Sequence, residues 1–92
     1  MWEKMCQLLL SELDNISNIL SMIKKRLEES SSRDVLEFLE GLIFYANGIY
    51  EAADMIYHKA RSPTAKEISS KALQIKELAE ELKRKISAKY WS

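Results

Sequence analysis

The sequence predicts an all-α fold, an antiparallel up-down-up bundle of three long helices at about residues 2–29, 34–61 and 63–89. In each segment apolar residues recur at alternating spacings of four and three, which places them on one face of a helix. Only two short polar breaks interrupt the pattern, and the whole chain contains two glycines and one proline. Because the connections are short and the helices similar in length, neighbouring helices are expected to run antiparallel.

The first predicted helix carries its apolar face at Trp2, Cys6, Leu9, Leu13, Ile16, Leu20, Ile23 and Leu27. Basic residues fill positions 24–26, where the helix dipole favours cations. Three serines at 30–32 then break the pattern. Either Ser31 or Asp34 is predicted to cap the next helix, since Asp34 and Glu37 have the spacing of a capping box.

The second predicted helix repeats the pattern at Val35, Leu39, Leu42, Ala46, Ile49, Ala53, Ile56 and Ala60. Gly41 and Gly48 lie inside it, and each costs a helix about 1 kcal/mol relative to alanine, so either could end the helix. The spacing nevertheless continues through both glycines without a shift, whereas a turn would normally reset it. One continuous helix is therefore predicted, and as the middle helix it should contact both neighbours.

The third predicted helix begins at Pro63, which suits a first helical turn, and Thr64 and Glu67 again have capping-box spacing. Its apolar face is formed by Ala65, Ile68, Ala72, Ile75, Ala79, Leu82 and Ile86.

Alanine recurs at every seventh position on both the second and the third helix. Folding the two helices against each other gives the pairs Ala60 with Ala65, Ala53 with Ala72, and Ala46 with Ala79. We call this set the alanine seam; small side chains there predict a close approach of the two backbones. The alternative is that alanine is simply a good helix former.

The composition favours a single cytoplasmic domain. Ninety-two residues suit one small domain, and 14 basic side chains balance 14 acidic ones, so no global charge attracts nucleic acid or a membrane surface. The single Cys6 cannot form an internal disulfide, and no signal peptide or membrane span is recognisable. The Lys/Glu-rich, Gln-poor surface is typical of thermophilic proteins.

Several large apolar residues of the first two helices lie off the predicted core faces. They are Met5, Leu8, Ile19, Met22, Phe38, Phe44, Tyr45 and Met55. Methionine and aromatic residues in such places are typical of adaptable contact surfaces, and they predict an interaction surface for a second copy of the chain or for another helical protein. A homodimer that completes a larger bundle is the simplest form. The alternative is that these residues are scattered surface or core positions.

No complete catalytic or cofactor site is recognisable, so neither an enzyme nor a cofactor is predicted. Glu51, Asp54 and His58 lie three or four residues apart on the outer side of the second helix, a spacing that can converge on a metal ion. The alternative is a solvated face with His58 near a helix C-terminus. Cys6 lies on a core face, where a free cysteine is commonly a small buried hydrophobe.

Basic residues gather where the ends of the first and third helices meet the start of the second. This basic pole comprises Lys24, Lys25, Arg26, Arg33, Lys83, Arg84, Lys85, Lys89 and the aromatic Trp91. Cations beside a stacking aromatic residue could hold nucleic acid or an acidic partner. Acidic residues close by, and the dipole preference for cations at helix ends, argue against nucleic acid.

The stretch at 33–40, continued by residues 46–47 and 51–54, resembles the middle helix of PhoU-type phosphate-signalling proteins. That family is built from three-helix bundles whose repeated acidic residues bind metal clusters, so the resemblance implies a regulatory metal or ligand sensor. The matching places here are Ile43, Asn47, Tyr50, Glu51 and Asp54, of which only the last two are acidic.

A second resemblance is to tetratricopeptide hairpins and the related MIT domain. It rests on Gly41, Phe44, Gly48, Tyr50, Ala53, Tyr57 and Ala60, and on Lys71, Ala79, Glu80, Leu82 and Lys83. It implies that an amphipathic helix binds in a groove between helices, and it requires a turn near Gly48. The sequence thus leaves three hypotheses: a self-associating interaction module, a PhoU-like sensor, and a basic pole for nucleic acid or an acidic partner.

Overall fold

Three helices make up nearly all of the chain. The computed structural model describes residues 2–29 and 31–91, with the side chains of Trp2, Tyr90 and Trp91 excepted. Helix α1 spans Trp2–Lys25, α2 spans Arg33–Ala60 and α3 spans Pro63–Trp91. They form an elongated bundle of 47 × 19 × 16 Å. The predicted all-α, up-down-up three-helix bundle is confirmed.

Helix α1 ends at Lys25, earlier than the predicted end at residue 29, and residues 26–29 form a turn. Leu27 lies in this turn and still packs against the core. The apolar spacing therefore continues beyond the helix, which is why the pattern alone placed the end too late. The Ser31 hydroxyl donates to the Leu27 carbonyl at 2.6 Å and so belongs to the turn.

Helix α2 is capped by Ser32, so the prediction of Ser31 or Asp34 was wrong. The backbone of Ser32 is extended, and its Oγ accepts a hydrogen bond from the Val35 N–H at 3.2 Å. Asp34 already lies in the first helical turn, where a negative charge suits the dipole but cannot act as the cap.

The junction between α2 and α3 is short. Arg61 takes the left-handed conformation, with φ of 53°, and its N–H donates to the Tyr57 carbonyl at 2.7 Å. Ser62 then caps α3, since its Oγ accepts from the Ala65 N–H at 3.3 Å. The predicted Thr64–Glu67 capping box was wrong, because Pro63 is the first helical residue and the cap must precede it.

Helix α2 continues through Gly41 and Gly48, as predicted, so the chain has no turn at Gly48. Neither glycine has a positive φ. A Cβ atom added at either position would meet nothing within 4 Å. Within one chain, therefore, neither the backbone nor the packing requires glycine at these two positions.

Helix α3 supplies the central apolar face, and every residue of its predicted stripe is buried. On the alanine seam, Ala46 and Ala53 of α2 are also buried, whereas Ala60 is exposed, so only the Ala65 side of the predicted Ala60–Ala65 pair is buried. The predicted register sets Leu78 opposite Asn47. The Lys76 side chain, two residues earlier on α3, donates a hydrogen bond to the Asn47 side chain, so the observed contact lies within two residues of that register.

The three helices are not equally close. The α2–α3 pair has the most extensive backbone contact, and α1 packs mainly on α3. Among the described residues, no Cα atom of α1 lies within 8 Å of a Cα atom of α2. The helix whose backbone lies close to both others is therefore α3, and not α2 as the sequence order suggested. Side chains of α1 and α2 still share the core, but their backbones stand apart.

Candidate functional site

An apolar groove opens between α1 and α2, where their backbones separate. Its volume is about 740 Å³. The first half of α1 forms one wall, residues 44–56 of α2 form the other, and the start of α3 closes the floor. The lining residues are Met5, Cys6, Leu8, Leu9, Glu12, Phe44, Tyr45, Gly48, Ile49, Ala52, Ala53, Ile56, Ala65 and Ile68.

All residues of the predicted interaction surface are exposed, from 41% for Tyr45 to 85% for Phe44. The structure brings one group of them together at the groove: Met5 and Leu8 from α1, and Phe44 and Tyr45 from α2. The other members, Ile19, Met22, Phe38 and Met55, are exposed but do not line the groove.

The two walls are joined by one hydrogen bond, which the Tyr45 hydroxyl donates to Glu12 Oε1 at 2.7 Å. This bond, assisted by partial burial and by the negative charge of Glu12, raises the pKa of Tyr45. A carboxylate that accepts from a phenol stabilises the protonated phenol. The contact fixes which parts of α1 and α2 face each other, because it places Glu12 opposite Tyr45.

Cys6 lies in the wall of the groove and is only 3% exposed. Burial, together with the nearby charge of Glu3, raises the pKa of its thiol. A nucleophilic cysteine needs the opposite shift, because the thiolate is the reactive form. Cys6 therefore acts as a small apolar residue of the core.

The candidate metal ligands Glu51, Asp54 and His58 do not form a ligand set. Glu51 accepts a hydrogen bond from the Asn47 amide at 3.3 Å, and His58 Nδ1 lies 2.8 Å from the Asp54 carbonyl. Among the described residues no group of three histidine, cysteine or carboxylate side chains could hold a metal ion. Glu51 and His58 instead have partners on their own helix.

The basic pole is partly neutralised by acidic side chains. Lys89 lies 2.7 Å from Glu28, Lys85 lies 3.0 Å from Glu81, and Lys83 lies 3.4 Å from Glu40. The hydrogen bond and charge of Lys85, with Lys24 and Arg84 nearby, lower the pKa of Glu81. The side chain of Trp91 lies outside the described part of the structure. The remaining residues of the pole are Lys25, Arg26 and Arg33, all exposed.

Sequence reasoning missed the regularity of the outer surface. A second set of positions with alternating spacings of three and four runs along α1 and another along α2, and every member is exposed. We call these sets the outer stripes. The outer stripe of α1 is Met5, Leu8, Glu12, Asn15, Ile19 and Met22, and that of α2 is Phe38, Gly41, Tyr45, Gly48, Ala52 and Met55. The spacing was visible in the sequence, but the small and polar members concealed it.

Comparisons of the chain with family models, with curated proteins and with solved structures give no match. The PhoU-type and MIT-type resemblances therefore stay predictions. Within the described ranges, no helix combines the length and the apolar character needed to cross a bilayer.

Proposed function

We propose that this protein is a non-catalytic assembly module that self-associates through the outer stripes of α1 and α2. The observation that supports the proposal is the exposure of both stripes on neighbouring helices. Heptad-like spacing of this kind normally marks a face that packs against another helix. Here the core already has its own stripe on each helix, so the outer stripes are a second, unpartnered packing face.

Burial of this face would supply the driving force for association. Met5, Leu8 and Met22 of the α1 outer stripe are each more than 60% exposed, and Phe44, which lies beside the α2 outer stripe, is 85% exposed. Removing such a side chain from water is worth roughly 1.5–3 kcal/mol when its burial becomes complete. A few residues of this kind at the centre of an interface commonly dominate its affinity.

The proposal predicts a dimer in solution, and light scattering on a size-exclusion column at low and high protein concentration tests it. The variants Leu8→Glu and Phe44→Glu place a charge on an exposed position of each wall. They should therefore leave the monomer folded and prevent association. Ser70→Glu is the matched control, because Ser70 is exposed on α3, away from both stripes.

A dimeric wild type that becomes monomeric in the two wall variants, and stays dimeric in the control, would support the proposal. A wild type that is monomeric at every concentration would refute self-association, and the groove would then be tested with helices of other proteins. A dimer that both wall variants leave unchanged would place the contact elsewhere.

A further inference from the structure

We infer that the second copy docks antiparallel, α1 against α1 and α2 against α2, about a two-fold axis perpendicular to the helices. The four helices would form a common core with the two α3 helices outside. This inference rests on the proposed self-association and adds the orientation, the register and the residue pairs of the contact.

The outer stripe of α2 is complementary to itself in this orientation. Antiparallel helices that pack through such stripes pair the first position of one heptad with the fourth position of the other. Tyr45 then lies on Gly48 of the second copy, Gly41 on Ala52, and Phe38 on Met55. The large Tyr45 ring thus meets a residue without a side chain, and the open space around Gly48 is the space that the ring would occupy.

The outer stripe of α1 is self-complementary in the same orientation. Met5 pairs with Met22 of the second copy, Leu8 with Ile19, and Glu12 with Asn15. Apolar residues meet apolar residues at the ends, and the two polar residues meet in the middle. The Asn15 amide can donate to the Glu12 carboxylate, and a polar layer of this kind fixes the register of packed helices.

Both stripes require the same two-fold axis. The α2 pairs place it between residues 46 and 47, and the α1 pairs place it between residues 13 and 14. The Tyr45–Glu12 hydrogen bond shows which heights of α1 and α2 coincide. By that measure the two positions of the axis agree to within about one helical turn of 5.4 Å. Two stripes with unrelated sequences thus specify one arrangement.

A two-fold axis parallel to the helices gives a different closed dimer. It would set α1 of each copy on α2 of the other, so neither outer stripe would pair with itself. The Glu12–Asn15 layer and the Tyr45–Gly48 layer would then be lost. In the antiparallel arrangement Glu37, on the flank of the α2 stripe, comes beside His58 of the second copy. The one approach of like charges is Lys4 with Lys25, at the outer ends of α1.

The face is large enough for a specific dimer. Each outer stripe extends over 17 residue steps, about 26 Å, and two neighbouring helices are about 20 Å wide. The contact would therefore bury on the order of 500 Å² per copy, or about 1,000 Å² in total, which is near the lower limit for a specific interface. We therefore expect an association that depends on protein concentration.

Cross-linking tests the orientation. Met5→Cys and Met22→Cys are prepared as separate chains, each with Cys6→Ala to remove the native thiol, and one of them is labelled with ¹⁵N. The two chains are mixed in equal amounts and oxidised under mild conditions, and mass spectrometry identifies the cross-linked species. Leu8→Cys with Ile19→Cys is a second pair at a different height. Circular dichroism and light scattering verify that each variant is folded and associates.

The expected result is a disulfide between positions 5 and 22, and between 8 and 19, at least tenfold more abundant than either link between identical positions. Links of position 5 with 5 and of 22 with 22, in place of links between 5 and 22, would overturn the inference. A dimer without any of these links would overturn it as well. In both cases the proposed self-association would stand, whereas a monomeric protein would refute both.

Discussion

At the scale of single residues, Tyr45 and Glu12 define the groove. Their side chains span the gap between two backbones whose Cα atoms stay more than 8 Å apart among the described residues. Both groups are exposed, so water competes for this hydrogen bond and its contribution to stability is small. Its main effect is on the proton of Tyr45, because the bond holds that proton against a carboxylate.

Glu12→Gln should lower the pKa of Tyr45, because a neutral amide stabilises the protonated phenol less than a carboxylate does. The folded-state pKa of Tyr45 is raised from 10.0. The stability that it contributes is therefore complete below pH 10 and is lost as the pH rises through the folded-state pKa. Titration of tyrosinate absorbance measures this. Tyr45→Phe is the control and should remove the tyrosine that titrates late in the wild type; an unchanged titration in Glu12→Gln would contradict the hydrogen bond.

At the scale of the helices, apolar spacing predicted the number of helices, their order and the buried face of α3. It did not predict where α1 ends, because Leu27 continues the same spacing from within a turn. The caps at Ser32 and Ser62 depend on hydrogen bonds of single hydroxyl groups, which several neighbouring residues could make equally well in sequence. Burial of the alanines on the core faces of α2 and α3 was predictable from their spacing, whereas the exposure of Ala60 was not.

Some features of the candidate site were likewise predictable from the sequence and others were not. Exposure of the apolar residues followed from their positions off the core faces, and all of them are exposed. The groove was not predictable, because it depends on how far α1 and α2 separate while both pack on α3. For the metal candidate, spacing places Asp54 and His58 on one face, but it does not exclude a bond from the imidazole ring to the backbone of its own helix.

Ala53→Leu should destabilise the fold by about 1–3 kcal/mol, because extra volume in the packed alanine seam forces the helices apart. Ala53 is 5% exposed. Ala60→Leu is the matched control, since Ala60 lies two turns later on the same helix and is exposed. Chemical denaturation of both variants compares the free energies of unfolding, and equal stability of the two would show that the seam has room.

Gly48→Ala should have opposite effects on the stability of the monomer and on association. In the monomer the added methyl group meets nothing within 4 Å and removes the cost of a helical glycine, so stability should rise by about 1 kcal/mol. In the dimer the same methyl group occupies space proposed for Tyr45 of the second copy, so association should weaken. Denaturation at low protein concentration measures the first effect, and light scattering measures the second.

Gly41→Ala provides the comparison, because it faces the smaller Ala52 in the proposed contact. It should give the same gain in monomer stability with a smaller loss of association. If Gly48→Ala strengthened association, or left it unchanged, the contact between Tyr45 and Gly48 would be wrong.

At the scale of the molecule, α2 and α3 form the most extensive pair, and α1 is attached mainly to α3. Exposed polar contacts support this attachment: Lys71 with Asp14 and Thr64 with Glu3 on α1, and Lys89 with Glu28 in the turn that follows α1. Solvent-exposed pairs of this kind contribute little to stability in water. The apolar contacts of the buried residues of α1 therefore hold it in place, and α1 is the helix with the fewest backbone neighbours.

Hydrogen exchange should therefore be faster in α1 than in α2 and α3, because regions with few packing contacts open at lower free energy. If the chain dimerises through α1 and α2, a higher protein concentration should slow exchange in α1, since association favours the folded form that binds. Mass spectrometry of peptides from each helix measures both effects. Leu8→Glu should abolish the dependence of α1 exchange on protein concentration. Equal exchange rates in all three helices would contradict the expectation that α1 opens more readily than α2 and α3.

The separation of α1 from α2 also has a consequence for the newborn chain. Helix α1 leaves the ribosome before α2 and α3, yet the helix on which it mainly packs is the last of the three to be synthesised. At about 5–20 residues per second, the ribosome needs roughly 3–13 s to extend the chain from the end of α1 to the end of α3. During that interval α2 cannot cover α1 closely, and both apolar faces of α1 are exposed to chaperones and to neighbouring nascent chains on the same messenger RNA. The first of the three helices to appear is thus the last to complete its packing.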